Sequence, residues 1–369
     1  MVDDQNKKFM SQALRLAKRA EGNTSPNPLV GAVVVKNGEI IGKGYHKKAG
    51  MPHGEIEAFN DAKKKHHDLR GSTLYVTLEP CSHRDKRTPP CTDAIIKNKI
   101  SKVVVSTLDP NPKVSGNGIN KLKKAGIKVE VGVLEEKSKE LNEIFFKHIT
   151  TGTPFVILKL AVTLDGKIAT YTGDSKWIGS ETQRKYAHQL RQKVDSVMVG
   201  IGTVIQDNPS LNVRIKRGSI TQPTPVVLDS KLRIPAGSNI FSIHERPIIV
   251  TTDSAKKTNQ KKLEDKGALV IRVENDKRGL IDLKELSDAL YKNGITSVLI
   301  EGGSKVAASA IKSGIVDKII FFYAPKIVGS TGLSMIDNLG ISTIKDSFQI
   351  KELKLKKYND EFMIEGYLK

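Results

Sequence analysis

Pro52-His53-Gly54-Glu55, then Glu79-Pro80-Cys81, then Thr88-Pro89-Pro90-Cys91: these three short segments carry the reading of this chain. Together they supply one imidazole, two thiols and a carboxylate separated from the histidine by a single glycine. Three protein ligands of this kind leave the fourth tetrahedral position of a zinc ion open for water. Zinc lowers the pKa of that water toward neutrality. Glu55 stands too close in sequence to His53 to be a comfortable fourth ligand and is better placed to shuttle protons. Two cysteines are ordinarily buried small apolar residues, and a histidine is ordinarily a satisfied polar one. Here, however, the chain's two cysteines share one loop-rich, proline-rich segment, a distribution that suits metal ligation. His53, Cys81 and Cys91 are therefore the candidate zinc ligands and Glu55 the candidate catalytic acid and base.

The order His-x-Glu, Pro-Cys, Cys is that of nucleobase-type zinc deaminases. The spacing is unusual, since nine residues separate Cys81 from Cys91. Local patterning mounts the ligands on element ends. Glu55 to Lys65 reads as a helix that starts just after His53. Thr73 to Leu78 reads as a strand delivering Cys81 to its C-terminal edge, and Thr88-Pro89-Pro90-Cys91 opens another helix with a threonine cap. Phe9, Ala13, Leu16, Ala17 and Ala20 recur at helical spacing. Asn37-Gly38 joins two apolar runs as a hairpin. Strands at Lys102 to Ser106 and Lys128 to Val133, with a closing helix from Glu135 to Ile149, complete a layered α/β domain.

The breaker Thr151-Gly152-Thr153-Pro154 sets a boundary, giving domains at residues 1–150 and 151–369. A chain of 369 residues is long enough for two cores. The second half alternates strands (Phe155 to Val162, Ser196 to Gly200, Val226 to Asp229, Pro247 to Thr251, Ala268 to Val273, Ser297 to Glu301, Lys318 to Tyr323) with helices (Ser180 to Lys193, Leu283 to Lys292). It ends in a hairpin around Asn359-Asp360. Glu301-Gly302-Gly303-Ser304 forms a strand-to-helix turn where a phosphate could approach backbone N–H groups. No Gly-x-Gly-x-x-Gly fingerprint accompanies it.

Sixty Lys and Arg against forty Asp and Glu give a net charge of +20, which favours an anionic substrate. The lysines are scattered, and aromatic residues make up only 5% of the chain, too few for a base-stacking platform. A polar N-terminus and the lack of any long apolar run predict neither a signal peptide nor a membrane span. The expected location is cytoplasmic.

Over essentially its whole length the chain resembles the bifunctional riboflavin-biosynthesis deaminase/reductase family. The resemblance is carried by Asn27-Pro28-Leu29-Val30-Gly31-Ala32-Val33, Pro52-His53-Gly54-Glu55, Tyr75 to His83, Arg87 to Cys91 and Asp109-Pro110-Asn111-Pro112. In the second half it is carried by Leu164 to Ala169, Ser175 to Ile178, Asp207 to Leu211, Glu301 to Ser304 and Ala324-Pro325-Lys326. Two departures stand out. Glycine occupies position 54 where the family usually has alanine, and the loop between Cys81 and Cys91 is one residue longer, through Arg84-Asp85-Lys86.

The resemblance implies an N-terminal cytidine-deaminase-like α/β/α domain and a C-terminal dihydrofolate-reductase-like α/β domain. It implies zinc-dependent deamination of a pyrimidine bearing ribose 5-phosphate, with Glu55 relaying the proton, and then reduction of the ribosyl group to ribityl by NADPH. By the same resemblance Asn27, His46, Arg87, Thr88, Asp109 and Asn111 hold the deaminase substrate. In the reductase half, Ser175, Arg191, Leu211, Arg214 and Glu301 fall at substrate-binding positions. Ala161, Trp177, Thr203, Asp207, Ser230 and the run Gly303, Ser304, Lys305, Val306, Ala307, Ala308 and Ser309 fall at NADP-binding positions, while Lys159 and Asp207 resemble residues tied to reduction. Arg191 and Arg214 offer planar forks to a phosphate. Trp177, the chain's one tryptophan, is either a cover for an apolar cofactor face or an ordinary core residue. The partners expected are a small phosphorylated pyrimidine and further copies of the chain, with no nucleic acid and no membrane. The competing reading is a nucleic-acid-editing zinc deaminase with a basic C-terminal binding module.

Overall fold

The computed structural model describes residues 2–82, 89–215 and 221–369. The chain divides into two compact units, Met1–Gly152 and Thr153–Lys369.

The N-terminal unit runs α1 (Val2–Lys18), β1 (Gly31–Lys36), β2 (Glu39–Tyr45), α2 (Gly54–Lys64), β3 (Thr73–Leu78), α3 (Cys91–Lys97), β4 (Lys102–Thr107), α4 (Asn117–Lys124), β5 (Lys128–Val131), α5 (Glu135–Leu141) and α6 (Glu143–Thr151). Its sheet has the order β2-β1-β3-β4-β5. β1 is antiparallel to β2 and β3, and β3, β4 and β5 are parallel. The central strands are apolar on both faces, the pattern of a sheet covered on both sides. Ala32, Val34, Leu74, Val76, Val103 and Val105 pack with Phe59, Ile95 and Leu122 of α2, α3 and α4. The alternate residues Val33, Val35, Tyr75 and Val104 meet Phe9, Met10 and Ala13 of α1. The period-2 alternation thus builds an α/β/α sandwich.

The helix read over Glu135 to Ile149 is two helices. The break falls at Asn142, whose side chain accepts the Leu29 N–H at 2.8 Å and donates to the Leu29 carbonyl at 3.1 Å. A tertiary tether therefore overrides the local helical pattern. The expected threonine cap is also corrected, since Pro90 is the N-cap residue of α3 and Thr88 lies outside the described residues.

The C-terminal unit contains β6 (Phe155–Thr163), β7 (Lys167–Ala169), α7 (Glu181–Lys193), β8 (Ser196–Gly200), α8 (Ile201–Asp207), β9 (Thr224–Leu228), α9 (Asn239–Ile243), β10 (Ile248–Thr251), α10 (Lys257–Glu264), β11 (Leu269–Arg272), α11 (Leu283–Lys292), β12 (Ser297–Ile300), α12 (Ser304–Ser313), β13 (Lys318–Ala324), β14 (Leu333–Ser334), β15 (Ile350–Tyr358) and β16 (Glu361–Leu368). Nine strands form one sheet, ordered β11-β10-β9-β8-β12-β6-β13-β16-β15. The run from β11 to β13 is parallel, and β16 and β15 close it antiparallel. Val156, Leu158, Leu160, Val162, Val298 and Ile300 pack against Leu286, Leu290, Ala307 and Ile311 of α11 and α12. β12 arrives late in the chain yet inserts between β8 and β6. Connections leaving the carboxyl ends of such strands diverge and open a crevice between them. No helix among the described residues is long and apolar enough to cross a membrane.

Candidate active sites

In the N-terminal unit three element ends converge. His53 is the N-cap residue of α2, but its side chain does not cap the helix. Instead its Nδ1 lies 3.2 Å from Cys91 Sγ and 3.6 Å from Cys81 Sγ. Cys91 opens α3, and its N–H donates to Cys81 Sγ at 3.4 Å. The three donor atoms lie within 4.8 Å of one another. A Cβ on residue 54 would stand 2.9 Å from the Val30 carbonyl oxygen, so glycine lets the start of α2 approach the entry to β1. The departure at position 54 thus has a packing reason.

Glu55, in the first turn of α2, is 3% exposed, and its Oε2 has no hydrogen-bond partner among the described residues. Burial raises its carboxyl pKa above the ordinary range. The hydrogen bond from Cys91 pulls the Cys81 thiol down toward thiolate, and the same interaction together with burial pushes Cys91 up. An imidazole, two thiols and a buried carboxylate whose Oε2 has no partner among the described residues form a donor set that fits zinc.

Other expected residues stand around this centre. The Asn27 amide donates to His46 Nε2 at 3.1 Å, which leaves Nδ1 of His46 to donate to the Pro52 carbonyl at 3.1 Å. The His46 ring meets that of His53 edge-on, with centroids 5.3 Å apart. Asp109 and Asn111 lie in the loop after β4, beside the β3 end that leads to Cys81. Sequence reasoning missed what holds that loop. Glu79, 6% exposed, accepts the N–H groups of Gly116 at 2.9 Å, Gly118 at 2.8 Å, and Asp109 and Ile119 at 3.2 Å. A Cβ on Gly118 would lie 2.1 Å from the Pro80 carbonyl, so the loop is clamped directly against the cysteine-bearing turn. Its signal in the sequence was an acidic residue in an otherwise apolar strand end. Arg87 and Thr88 lie outside the described residues.

In the C-terminal unit a cavity of about 1180 Å³ opens at the carboxyl ends of β9, β8, β12 and β6. Lys159, Ser175, Arg191, Arg214 and Glu301 line it, as do Ala161, Trp177, Thr203, Asp207 and Ser230. So do Gly303, Ser304, Lys305, Val306 and Ser309, from the turn and first two turns of α12. Trp177 is 63% exposed, so the core reading of this residue falls. The Arg184 guanidinium stacks on its ring at 4.7 Å. Gly302 and Gly303 take positive φ of 136° and 84°, a turn that keeps side chains out of the space before α12. That bare backbone and the apolar wall beside Trp177 fit an elongated nucleotide cofactor.

Four expected contacts are corrected. The side chains of Ala307 and Ala308, 0% and 4% exposed, lie on the faces of α12 turned away from the cavity. Along α12 the cavity takes Ser304, Lys305, Val306 and Ser309, and positions 307 and 308 fall on the buried side of the helix. Leu211, 3% exposed, is likewise buried and does not line the cavity. The fork of Arg191 does not stand open for a phosphate, because its Nε and Nη2 donate to the two Glu301 carboxylate oxygens at 2.6 and 2.8 Å. Its Nη1 donates to the Asn212 carbonyl at 3.0 Å. Burial and the Arg191 charge lower the pKa of Lys159, against the opposing pull of Glu301. His188 also lines the cavity and accepts the Arg214 N–H at 3.3 Å. Its spacing from Arg184 and Arg191, one helical face, was the available signal for it.

Both units match known families. Residues 3–107 match the cytidine and deoxycytidylate deaminase zinc-binding region, and residues 154–364 match the RibD C-terminal domain. A riboflavin biosynthesis protein RibD from Aquifex aeolicus is 48% identical over 368 residues, 99% of either chain. Among solved structures, Acinetobacter baumannii RibD superposes with a TM-score of 0.88 at 34% identity, covering 100% of both chains. A deaminase/reductase from Thermotoga maritima gives 0.87 at 40% identity, again over 100% of both. The chain belongs to the RibD family of bifunctional deaminase/reductases of riboflavin biosynthesis. Its zinc-binding deaminase domain and reductase domain imply zinc and a nicotinamide cofactor. A nucleic-acid-editing role is not favoured, because the basic C-terminal half matches a reductase domain.

Proposed function

We propose that residues 1–150 deaminate 2,5-diamino-6-(5-phosphoribosylamino)pyrimidin-4-one and that residues 151–369 use NADPH to reduce the ribosyl group of the resulting 5-amino-6-(5-phosphoribosylamino)uracil to ribityl. The observation that carries the first half is the meeting of His53, Cys81 and Cys91 beside a buried Glu55 oxygen with no partner among the described residues. His53, Cys81 and Cys91 hold zinc, which when bound acidifies a water molecule. Glu55 would take one proton from the attacking water and give it to the ring nitrogen as the hydroxyl adds to the ring carbon, then carry the hydroxyl proton to the amino group, which leaves as ammonia when the C–N bond breaks. Asn27, His46, Asp109 and Asn111 orient the substrate. The Thermotoga relative, named for both of these substrates, supports the choice.

In the second unit the cavity lining supports the assignment. NADPH, when bound, supplies a hydride to the sugar C1′. Lys159, a buried amine that releases its proton more readily than an exposed lysine, protonates the ring oxygen freed as the C1′–O bond opens. Asp207 orients the sugar. Ser175 and Arg214 meet the sugar phosphate, and Glu301, fixed by Arg191, holds sugar hydroxyls. Trp177 covers the nicotinamide face, and the turn from Gly303 carries the pyrophosphate. Two free thiols suit a reducing cytoplasm.

Separate expression of residues 1–150 and 151–369 tests the division of labour. The first fragment is expected to release ammonia from the diaminopyrimidine, and the second to oxidise NADPH with the deaminated product, both read by product mass. Failure of either fragment in a folded state would overturn the assignment. A metal chelator should abolish deamination by the full chain and leave reduction of supplied deaminated substrate intact. Zinc retention should also fall with acidification, because His53 must be neutral and both thiols deprotonated to bind. Metal content near zero with deamination intact sinks the zinc reading.

A further inference from the structure

Trp177 forms part of the cavity wall from an irregular stretch between β7 and α7. Its carbonyl accepts the Lys326 amine at 2.5 Å. Its ring lies under the Arg184 guanidinium at 4.7 Å, and the same guanidinium donates to the Gly179 carbonyl at 2.9 Å. Arg184 belongs to the first turn of α7, so both of its contacts hold only while the start of that helix keeps its place.

What holds the start of α7 is a carboxylate 181 residues away. Ser180 is the N-cap residue of α7, and its hydroxyl accepts the Gln183 N–H at 3.4 Å. Glu361, the first residue of β16, accepts the Ser180 N–H at 2.8 Å through Oε1 and the Ser180 hydroxyl through Oε2. Its negative charge also meets the positive end of the helix dipole. Glu361 is buried, so water competes little for these two bonds. An aromatic contact supports them further along the helix. Tyr186 of α7 meets the ring of Phe322 edge-on at 5.5 Å and that of Tyr358 at 6.4 Å. Tyr358 pairs with Glu361 across the β15–β16 turn, so one hairpin end grips α7 at its cap and one turn beyond.

We propose that Glu361 is a positioning residue for the reduction: by holding the cap of α7 it keeps Arg184, and through it the Trp177 ring, where the reaction needs them. The inference rests on the reading of Trp177 as the cover of the nicotinamide face. The glycine turn that carries the pyrophosphate belongs to a different element, α12. Loss of the Glu361 contact therefore disturbs how the nicotinamide is presented and leaves its tether in place. Rate is sensitive to such a change, since a displacement of about 1 Å can cost about 10²-fold.

The test compares full-length wild type with Glu361→Ala, Glu361→Gln and Ile248→Val, a truncation of a buried core residue in β10, away from α7. Reduction of supplied deaminated substrate gives kcat and the KM for NADPH, and fluorescence titration counts NADPH sites per chain. The anisotropy decay of Trp177, the single tryptophan, reports the freedom of the wall before cofactor is added. Glu361→Ala is expected to keep one NADPH site per chain and to lose about 10- to 100-fold in kcat. Its KM for NADPH should stay within about threefold, less than one charge-assisted hydrogen bond is worth. Its Trp177 should gain a fast component of motion. In Glu361→Gln the amide oxygen can accept the Ser180 N–H and the amide nitrogen can donate to the hydroxyl, so most of kcat and the slow anisotropy should return. Ile248→Val should melt lower and change neither kcat nor anisotropy. Unchanged anisotropy in Glu361→Ala, no rescue by Gln, or the same losses in Ile248→Val overturns the positioning role. So does a loss of NADPH sites in proportion to the fall in kcat, which makes Glu361 a fold-stabilising residue only. A freed Trp177 with unchanged kcat instead overturns the nicotinamide reading of Trp177, and the inference falls with it.

Discussion

Glu55→Gln retains zinc and loses deamination by about 10²- to 10⁴-fold, the usual cost of removing a positioned acid–base group. The amide has nearly the shape of the carboxylate but cannot take a proton from water, and Oε2 has no hydrogen-bond partner among the described residues. Metal analysis and ammonia release on the same preparation check the two halves of this statement. Reduction of supplied deaminated substrate should be unchanged, and retained zinc shows that the N-terminal unit is folded. Normal deamination in the variant makes Glu55 structural. Stability should move in the opposite direction. Burial raises the Glu55 pKa in the folded state, so its contribution is favourable below the unfolded value of about 4.3 and is lost as pH rises through the folded value. At pH 7 the metal-free variant should therefore melt no lower than metal-free wild type, a trade of stability for activity.

Arg191→Ala is the second large effect, and the structure changes its expected form. The Arg191 fork grips Glu301, whose side chain is only 7% exposed. Deleting Arg191 strands a buried carboxylate, which costs about 3–5 kcal/mol. Trp177, the single tryptophan, lies in the C-terminal unit and reports its unfolding by fluorescence without interference from the N-terminal unit. The double variant Arg191→Met with Glu301→Leu should recover most of that stability, because replacing a buried pair by apolar groups is often neutral. It should remain unable to reduce substrate. A single variant as stable as wild type, or a double variant with normal reduction, overturns this reading. The pH dependence follows from Glu301. Burial acts to raise its pKa, but the Arg191 charge and hydrogen bonds outweigh burial and hold it below the ordinary range. Its stabilisation is present above the unfolded pKa of about 4.3 and is lost as pH falls through the folded value. The gap between wild type and Arg191→Ala should therefore close in acid.

Much of this architecture is written in short-range patterns. His53, Cys81 and Cys91 each sit beside glycine or proline at an element end, so spacing alone groups them, and the structure brings their donor atoms within 4.8 Å. The apolar strands of both sheets and the breaker near Gly152 follow from periodicity and turn chemistry among neighbouring residues. Such signals fail where a distant group wins. Asn142 looks like one more residue in a helix until Leu29 claims its amide. Ala307 and Ala308 look like part of a binding run until helical geometry turns them away from the cavity.

The amino-acid sequence by itself determined the donor set of the metal centre, the alternation of strands and helices, and the two-part organisation. Each is encoded in residues a few positions apart. Only the tertiary structure decided that Glu79 clamps the Asp109 loop with four backbone N–H groups. It alone decided that Arg191 faces Glu301 across 110 residues. These contacts depend on strand order, and β12 entering between β8 and β6 is a long-range event that no local pattern records.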